Sequence, residues 1–352
     1  MVVTVHVGGR NDLTDVAGMA VGHHQRTGRG WLTGTTVVLP PPGTVGGADV
    51  RGGGPATRDT DALAPTTMVE HVHAVCFTGG SAYGLDAAGG VMTWLEEQGR
   101  GFRVGEEPGR VVPIVPTAAV FDLGVGGRFT NRPDASFGRR AAAAARAWPA
   151  RQGTVGAGTG THAGRLKGGV GSASAVTAGG VTVGALVVVN SAGGVLDDRT
   201  GDLWGARLGL DDEFGPLRRP TRAESAAFGN DPAGSAPFNT TLAVLATDAR
   251  LSKPECVRLA GAGHDGLARA ISPVHGYTDG DIVIGLAAGG TQLAETADDG
   301  YLRPTSSRFT ELGQLFAVAA DAVSRAIVHA VLHATSAGGL ASYTDQFPSS
   351  RR

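Results

Sequence analysis

The stretch that most constrains this chain is residues 238–248, Phe-Asn-Thr-Thr-Leu-Ala-Val-Leu-Ala-Thr-Asp. It joins a loop rich in Gly, Pro, Ser and Ala to an apolar run with strand character. Thr240 is therefore expected at the start of a buried strand, behind a flexible approach. One reading is a plain turn entering a strand, because Asn favours turns and Thr favours strands. The other is a chain that cuts its own backbone before Thr240 and then uses the exposed residue as a nucleophile. A free α-amine has a pKa of about 7.7–8.0, so near neutrality it can take the proton of the adjacent hydroxyl. The stretch alone leaves both readings open.

The rest of the chain supplies a setting for either. Its 352 residues suffice for a large core, and no linker, repeat or composition shift divides them, so one domain spanning 1–352 is expected. A net charge of −2 leaves no electrostatic footprint for nucleic acid or an anionic membrane. The 57 glycines punctuate apolar runs throughout, which predicts many tight turns and close backbone approaches. Cys76 and Cys256 lie far apart in apolar surroundings and read as buried thiols of a reducing compartment. The N-terminal residues lack a signal-peptide pattern. No uncharged apolar span of about 20 residues is evident. A soluble cytoplasmic protein is expected.

Strands are predicted at 34–39, 73–78, 180–190, 242–248 and 282–288, with a short one ending 12–24. Helices are predicted at 81–98 with Ser81 near the N-cap, at 139–148, at 252–270 capped by Ser252, and at 309–333. Residues 197–237 read as mobile surface. Arg51, three glycines and Arg58 form a loop that suits either an anion cradle or a surface turn. Residues 153–160 resemble a dinucleotide-binding fingerprint, but an alanine-rich helix precedes them and an extended segment follows, the wrong context for that motif. No cofactor is expected. His329 and His333 are four apart on a helix, yet no third ligand stands near, so no metal is expected either.

Taken together, several blocks resemble the self-processing L-aminopeptidase/D-amidase-esterase family, which also holds the β-peptidyl aminopeptidases and the nylon-oligomer endohydrolase. They are Arg51-Gly-Gly with Thr57-Arg58; Thr78-Gly-Gly-Ser-Ala-Tyr-Gly-Leu85; Gly156-Ala-Gly-Thr-Gly160; Lys167-Gly-Gly-Val-Gly-Ser-Ala-Ser174; Val189-Asn190; Asn239-Thr-Thr-Leu with Ala246-Thr-Asp-Ala249; and Pro273-Val-His275 with Asp279-Gly-Asp281. The resemblance implies an α/β fold, a four-layer α/β/β/α sandwich like that of N-terminal-nucleophile hydrolases, with connectivity like the ornithine acetyltransferases. It also implies cleavage between Asn239 and Thr240 into subunits 1–239 and 240–352, assembled as a homotetramer, and a small peptide or amide as substrate.

Carried over by position, Thr240 is the nucleophile and Thr241 is structural. Asn190 falls at the oxyanion-hole asparagine, where an amide N–H can donate to a developing alkoxide. Asp279 and Asp281 would orient the Thr240 hydroxyl and ammonium, the alternative being a simple Asp-Gly hairpin turn. The family lysine has two possible counterparts, Arg165 and Lys167, and Lys167 suits the chemistry because a lysine can lose its proton. Ser81, Tyr83 and Phe121 are the expected substrate-binding positions, with Phe121 replacing an active-site Tyr of some members. An amide hydrolase is the leading expectation. An acyltransferase of the ornithine acetyltransferase type is disfavoured because the approach to the cut lacks Lys-Gly-x-Gly-Met. A catalytically silent scaffold is disfavoured by the presence together of Thr240, Asn190, Asp279 and Asp281.

Overall fold

The apolar run after Thr241 forms the strand Leu242–Ala249, inner strand of a six-stranded sheet, and its side chains alternate between two cores. Ala243 and Leu245 pack with the helices Lys253–Ala270 and Ser307–Leu332. Leu242, Val244 and Ala246 face the other way, into a cluster shared with Val21, Val38, Val75 and Phe77 of a second sheet. A third cluster closes the far side of that second sheet. There Val37, Leu39 and Cys76 meet Ala87, Val91 and Leu95 of the helix Ala87–Glu97, with Ala141 and Ala142 of the helix Ala135–Ala143. Helix pair, sheet, sheet and helix pair are thus held by three successive apolar clusters. This computed structural model describes residues 5–230, 238–294 and 307–351.

Strand order in the larger sheet is Val5–Val7, Gly169–Thr177, Thr182–Val189, Leu242–Ala249, Ile282–Thr291, Val45–Val50. In the smaller sheet it is Ala20–Gly28, Trp31–Leu39, Val75–Thr78, Thr117–Ala119, Thr57–Arg58. One pairing positions the functional site. Leu242–Ala249 runs parallel to Ile282–Thr291 with Leu242 opposite Ile282. Parallel pairing brings the two strand starts to the same edge, so Asn239–Thr241 lies beside Asp279–Asp281. Thr182–Val189 is antiparallel to the same strand and delivers its end, and hence Asn190, to that edge as well.

Several local expectations need correction. The helix expected at 81–98 breaks at Leu85–Asp86 into Ser81–Gly84 and Ala87–Glu97. Ser81 does lie next to the N-cap, which is Gly80 with φ 85°, and Ser81 itself has φ 52°. The helix expected at 139–148 begins earlier, where the Asp134 side chain accepts the Ser136 N–H, and ends at Ala143. Before the strand Ala20–Gly28, Asp12 caps a 3-10 turn, Leu13–Asp15. Ser252 does cap its helix, and its N–H and Oγ–H both donate to Glu255, at 2.8 and 2.9 Å.

Residues 197–230 are not mobile surface. They carry the 3-10 turn Trp204–Leu208 and the helix Arg222–Asn230, and bury Leu203, Phe214 and Phe228. Glu213 locks them to the long helix through Arg325, at 2.5 and 2.8 Å, and His329, at 2.9 Å. The acidic turns and prolines of this segment hide a few widely spaced anchors that do the packing. The remainder of that expectation, like the flexible loop before Thr240, falls on 231–237, outside the described residues. The long helix itself is apolar enough to pass for a membrane span, though Asp321 and Arg325 interrupt its apolar run and 83% of that window is buried inside the protein.

Candidate active site

Every polar group of the Asn239–Thr240 peptide is held. The Asn239 carbonyl oxygen accepts the Thr240 hydroxyl at 2.5 Å and the Gly280 N–H at 2.9 Å. The Thr240 N–H donates to the Asn190 carbonyl at 2.6 Å. Asn239 and Thr240 are both buried, at 2% and 4% exposure. The hydroxyl, the carbonyl next to it and a backbone donor on that carbonyl therefore share one water-poor pocket.

Gly280 makes this approach possible. A Cβ there would stand 2.7 Å from Thr240 Oγ1 and 2.9 Å from the Gly54 carbonyl. The loop of three glycines packs on the other side of the same turn. Gly54 N–H donates to the Asp279 carbonyl at 2.7 Å, while Arg51 and Gly52 N–H donate to the Asp281 carbonyl at 3.0 and 3.3 Å. The anion-cradle alternative for this loop fails for that reason: these amides already serve the Asp-Gly-Asp backbone. A Cβ on Gly52 would lie 2.3 Å from the Asp279 carbonyl oxygen.

The two carboxylates differ in their engagement. Asp281 accepts the Thr241 N–H on Oδ1 at 2.7 Å, and on Oδ2 the His275 Nδ1–H at 2.8 Å and backbone N–H at 3.2 Å. Asp279 accepts the Gly276 N–H on Oδ2 at 2.8 Å, while its buried Oδ1 has no partner among the described residues. Burial, together with the neighbouring Asp281, raises the Asp279 pKa above the usual carboxylate range. Neither carboxylate bonds the Thr240 hydroxyl in this uncut chain; Asp281 engages the Thr241 N–H beside it and Asp279 the Gly276 N–H.

Asn190 is fully buried. Its Oδ1 accepts the His162 N–H at 3.2 Å and its Nδ2 donates to the Phe121 carbonyl at 3.3 Å, which fixes the orientation of the amide. Lys167 is also fully buried and donates to the Gly158 and Gly168 carbonyls, each at 2.9 Å. Burial pushes its ammonium down to about 7, the Asp122 carboxylate acting in the opposite direction. Asp122 accepts the Gly80 N–H at 2.6 Å, and burial pushes it up to about 6. Arg165 lies elsewhere: it stacks over Phe228 and pairs with Asp198 at 3.3 Å. Of the two counterparts for the family lysine, Lys167 is thus the one enclosed beside Asp122.

Above the Asn239–Thr240 peptide opens a cavity of about 180 Å³, lined also by Ser81, Phe121, Phe238 and Thr278. The rings of Phe121 and Phe238 lie 5.4 Å apart on its wall. Tyr83 is not part of this lining. It is half exposed, with the Arg132 guanidinium 3.6 Å over its ring.

Sequence reasoning passed over Asp122, His275 and the donor role of Gly280. Asp122 directly follows Phe121, and Gly79, where a Cβ would sit 2.2 Å from its Oδ2, marks how closely the chain closes on it. His275 was visible only as part of a motif block.

Comparison with known proteins adds four likenesses. A profile described as Peptidase family S58 matches residues 11–344. A protein named as an uncharacterized aminopeptidase of Mycobacterium tuberculosis is 50% identical over 349 residues, 96% of this chain and 98% of its own. A 6-aminohexanoate-oligomer endohydrolase of a Kocuria species is 30% identical over 337 residues, covering 93% of this chain and 88% of its own. In fold, the L-aminopeptidase D-Ala-esterase/amidase of Ochrobactrum anthropi superposes with a TM-score of 0.72 at 21% identity, over 98% of this chain and 91% of that one. That structure is described as a variant of the N-terminal-nucleophile hydrolase fold.

Proposed function

The chain belongs to peptidase family S58, and from that premise we propose that it is a self-processing amide hydrolase with Thr240 as nucleophile, first on itself and then on substrate. The observation that carries this reading is the Asn239 carbonyl, held between the Thr240 hydroxyl at 2.5 Å and the Gly280 N–H at 2.9 Å. In the first step Thr240 Oγ1 adds to the Asn239 carbonyl carbon, and the Gly280 N–H stabilises the charge that develops on oxygen. The C–N bond then breaks, the nitrogen leaves protonated as the Thr240 α-amine, and the acyl group remains as an ester. Water hydrolyses the ester to release the Asn239 carboxylate. Substrate turnover repeats the sequence with the new α-amine as base and a second donor from Asn190 Nδ2. The apolar, aromatic cavity and the likeness to an oligomer endohydrolase favour small peptides, amides or short ω-amino-acid oligomers as substrates.

Mass measurement under denaturing conditions tests this directly. The folded protein should give fragments of 239 and 113 residues (352 less 239), the smaller starting at Thr240. An intact chain in fully folded material would overturn the mechanism.

Before cleavage no α-amine exists, so another base must accept the hydroxyl proton. We assign this role to Lys167, which is fully buried and whose ammonium burial pushes down to about 7. The rate of self-cleavage should therefore rise with pH through about 7 and then level off. Asp122→Asn removes the anion that favours the charged lysine, so it should move this limb to lower pH. Following cleavage of freshly translated precursor across pH 5–9 decides the matter. A limb that shifts upward, or does not move, would remove Lys167 from the proton path.

A further inference from the structure

We propose that His275 is a positioning residue of this site, holding Asp281 so that Asp281 in turn fixes the peptide that follows the nucleophile. The inference rests on the reading of Thr240 as nucleophile. One carboxylate joins the two elements: Oδ2 takes both the Nδ1–H and the backbone N–H of His275, at 2.8 and 3.2 Å, and Oδ1 takes the Thr241 N–H at 2.7 Å. Asp281 is 2% exposed, so these bonds operate with little competition from water.

The backbone of His275 shows that the arrangement is held against a local preference. Its φ is 57°, a left-handed conformation in which a side chain with a Cβ costs roughly 1–2 kcal/mol. A turn alone would be better served there by glycine. The histidine instead brings a ring that donates to Asp281 and meets His264 edge to face, with centroids 4.7 Å apart. His264 is itself anchored, its Nε2 lying 2.9 Å from the Asp49 carbonyl. The ring is thus clamped between a carboxylate and a second imidazole. The rigidity passes through Asp281 to Thr241, one residue beyond the reacting hydroxyl.

Three substitutions separate a positioning role from a turn requirement. Asn and Asp tolerate the left-handed conformation and have nearly the same shape, but only Asn offers a donor to Asp281. Gly suits the backbone best and offers no side chain at all. If His275 acts through its donor, His275→Asn should cleave itself and turn over substrate within about threefold of the parent. His275→Gly should lose at least about tenfold in kcat with KM nearly unchanged, and His275→Asp should lose more through repulsion by Asp281. The second readout is hydrogen exchange of the Thr241 amide, measured by NMR in the uncut Thr240→Ala chain carrying each change. Protection should survive in His275→Asn and fall at least about tenfold in His275→Gly and His275→Asp. A glycine variant with parental protection and parental kcat would overturn the proposal, as would equal losses in all three. Should the parent itself remain uncut, the Thr240 reading fails, while the exchange measurement still decides whether His275 holds Asp281 in place.

Discussion

Thr240→Ala should yield a single chain of 352 residues that folds but neither cuts itself nor hydrolyses any amide. The substitution deletes the oxygen that forms the new bond while leaving the strand behind it untouched, since Leu242–Ala249 is held by its own ladder and two apolar clusters. The cost to stability is limited to one short hydrogen bond on the Asn239 carbonyl and a methyl group, on the order of 1–2 kcal/mol. The cost to chemistry is far larger, because removal of a nucleophile that acts in concert with its base lowers turnover by a factor on the order of 10⁶. Thr240→Ser is the control. It keeps the hydroxyl but loses the β-branching that restricts χ1, so it should still mature, with a rate reduced through poorer aim of the oxygen. Mass under denaturing conditions reports maturation, and an amide panel reports turnover. An alanine variant that still splits before residue 240 would place the attacking group on another residue and remove Thr240 from both reactions.

The stretch 238–248 carried most of what was readable in advance, because a polar turn running into a β-rich apolar segment is a local signal. Its burial on both faces follows from composition alone. What could not be read was contact between distant backbones. The Gly280 N–H on the Asn239 carbonyl depends on the parallel register of Leu242 with Ile282, and register is fixed by the assembled sheet. The glycine loop at 51–54 looked like a site because its composition suits anions; its amides turn out to face the carbonyls of Asp279 and Asp281. Residues 197–230 failed in the opposite sense. Their polar composition masked Phe214, Phe228 and a buried Glu213–Arg325 pair, each separated from the next by too many turn residues to show any period. Lys167 against Arg165 could be ranked by chemistry, but only the enclosure of one and the pairing of the other with Asp198 separates them in space.

Gly280→Ala should slow self-cleavage by about 10²–10³, the usual effect of losing one donor to a developing oxyanion. Gly280 is not among the glycines with positive φ, so alanine meets no intrinsic backbone penalty and the effect must come from space. Its Cβ would lie 2.7 Å from Thr240 Oγ1, 2.9 Å from the Gly54 carbonyl and 3.1 Å from Pro55 Cα. The Gly54 and Pro55 contacts are with backbone atoms and the loop behind them is tied to Asp279 and Asp281, so the Asp-Gly-Asp turn has to retreat. Retreat lengthens the 2.9 Å bond from the Gly280 N–H to the Asn239 carbonyl and at the same time pushes the hydroxyl aside. Overpacking of this kind costs about 1–3 kcal/mol of stability, so folding should persist and the uncut precursor should accumulate. The double substitution Gly280→Ala with Thr240→Ser distinguishes the two consequences. Freed from its γ-methyl, the serine oxygen can rotate away from the new Cβ, which relieves the clash but does not restore the donor. Partial recovery, still at least about tenfold below Thr240→Ser alone, is expected if the N–H stabilises the oxyanion. Complete recovery would mean that Gly280 serves only to leave room for the hydroxyl, and the donor would then have to be sought at the Asn190 amide.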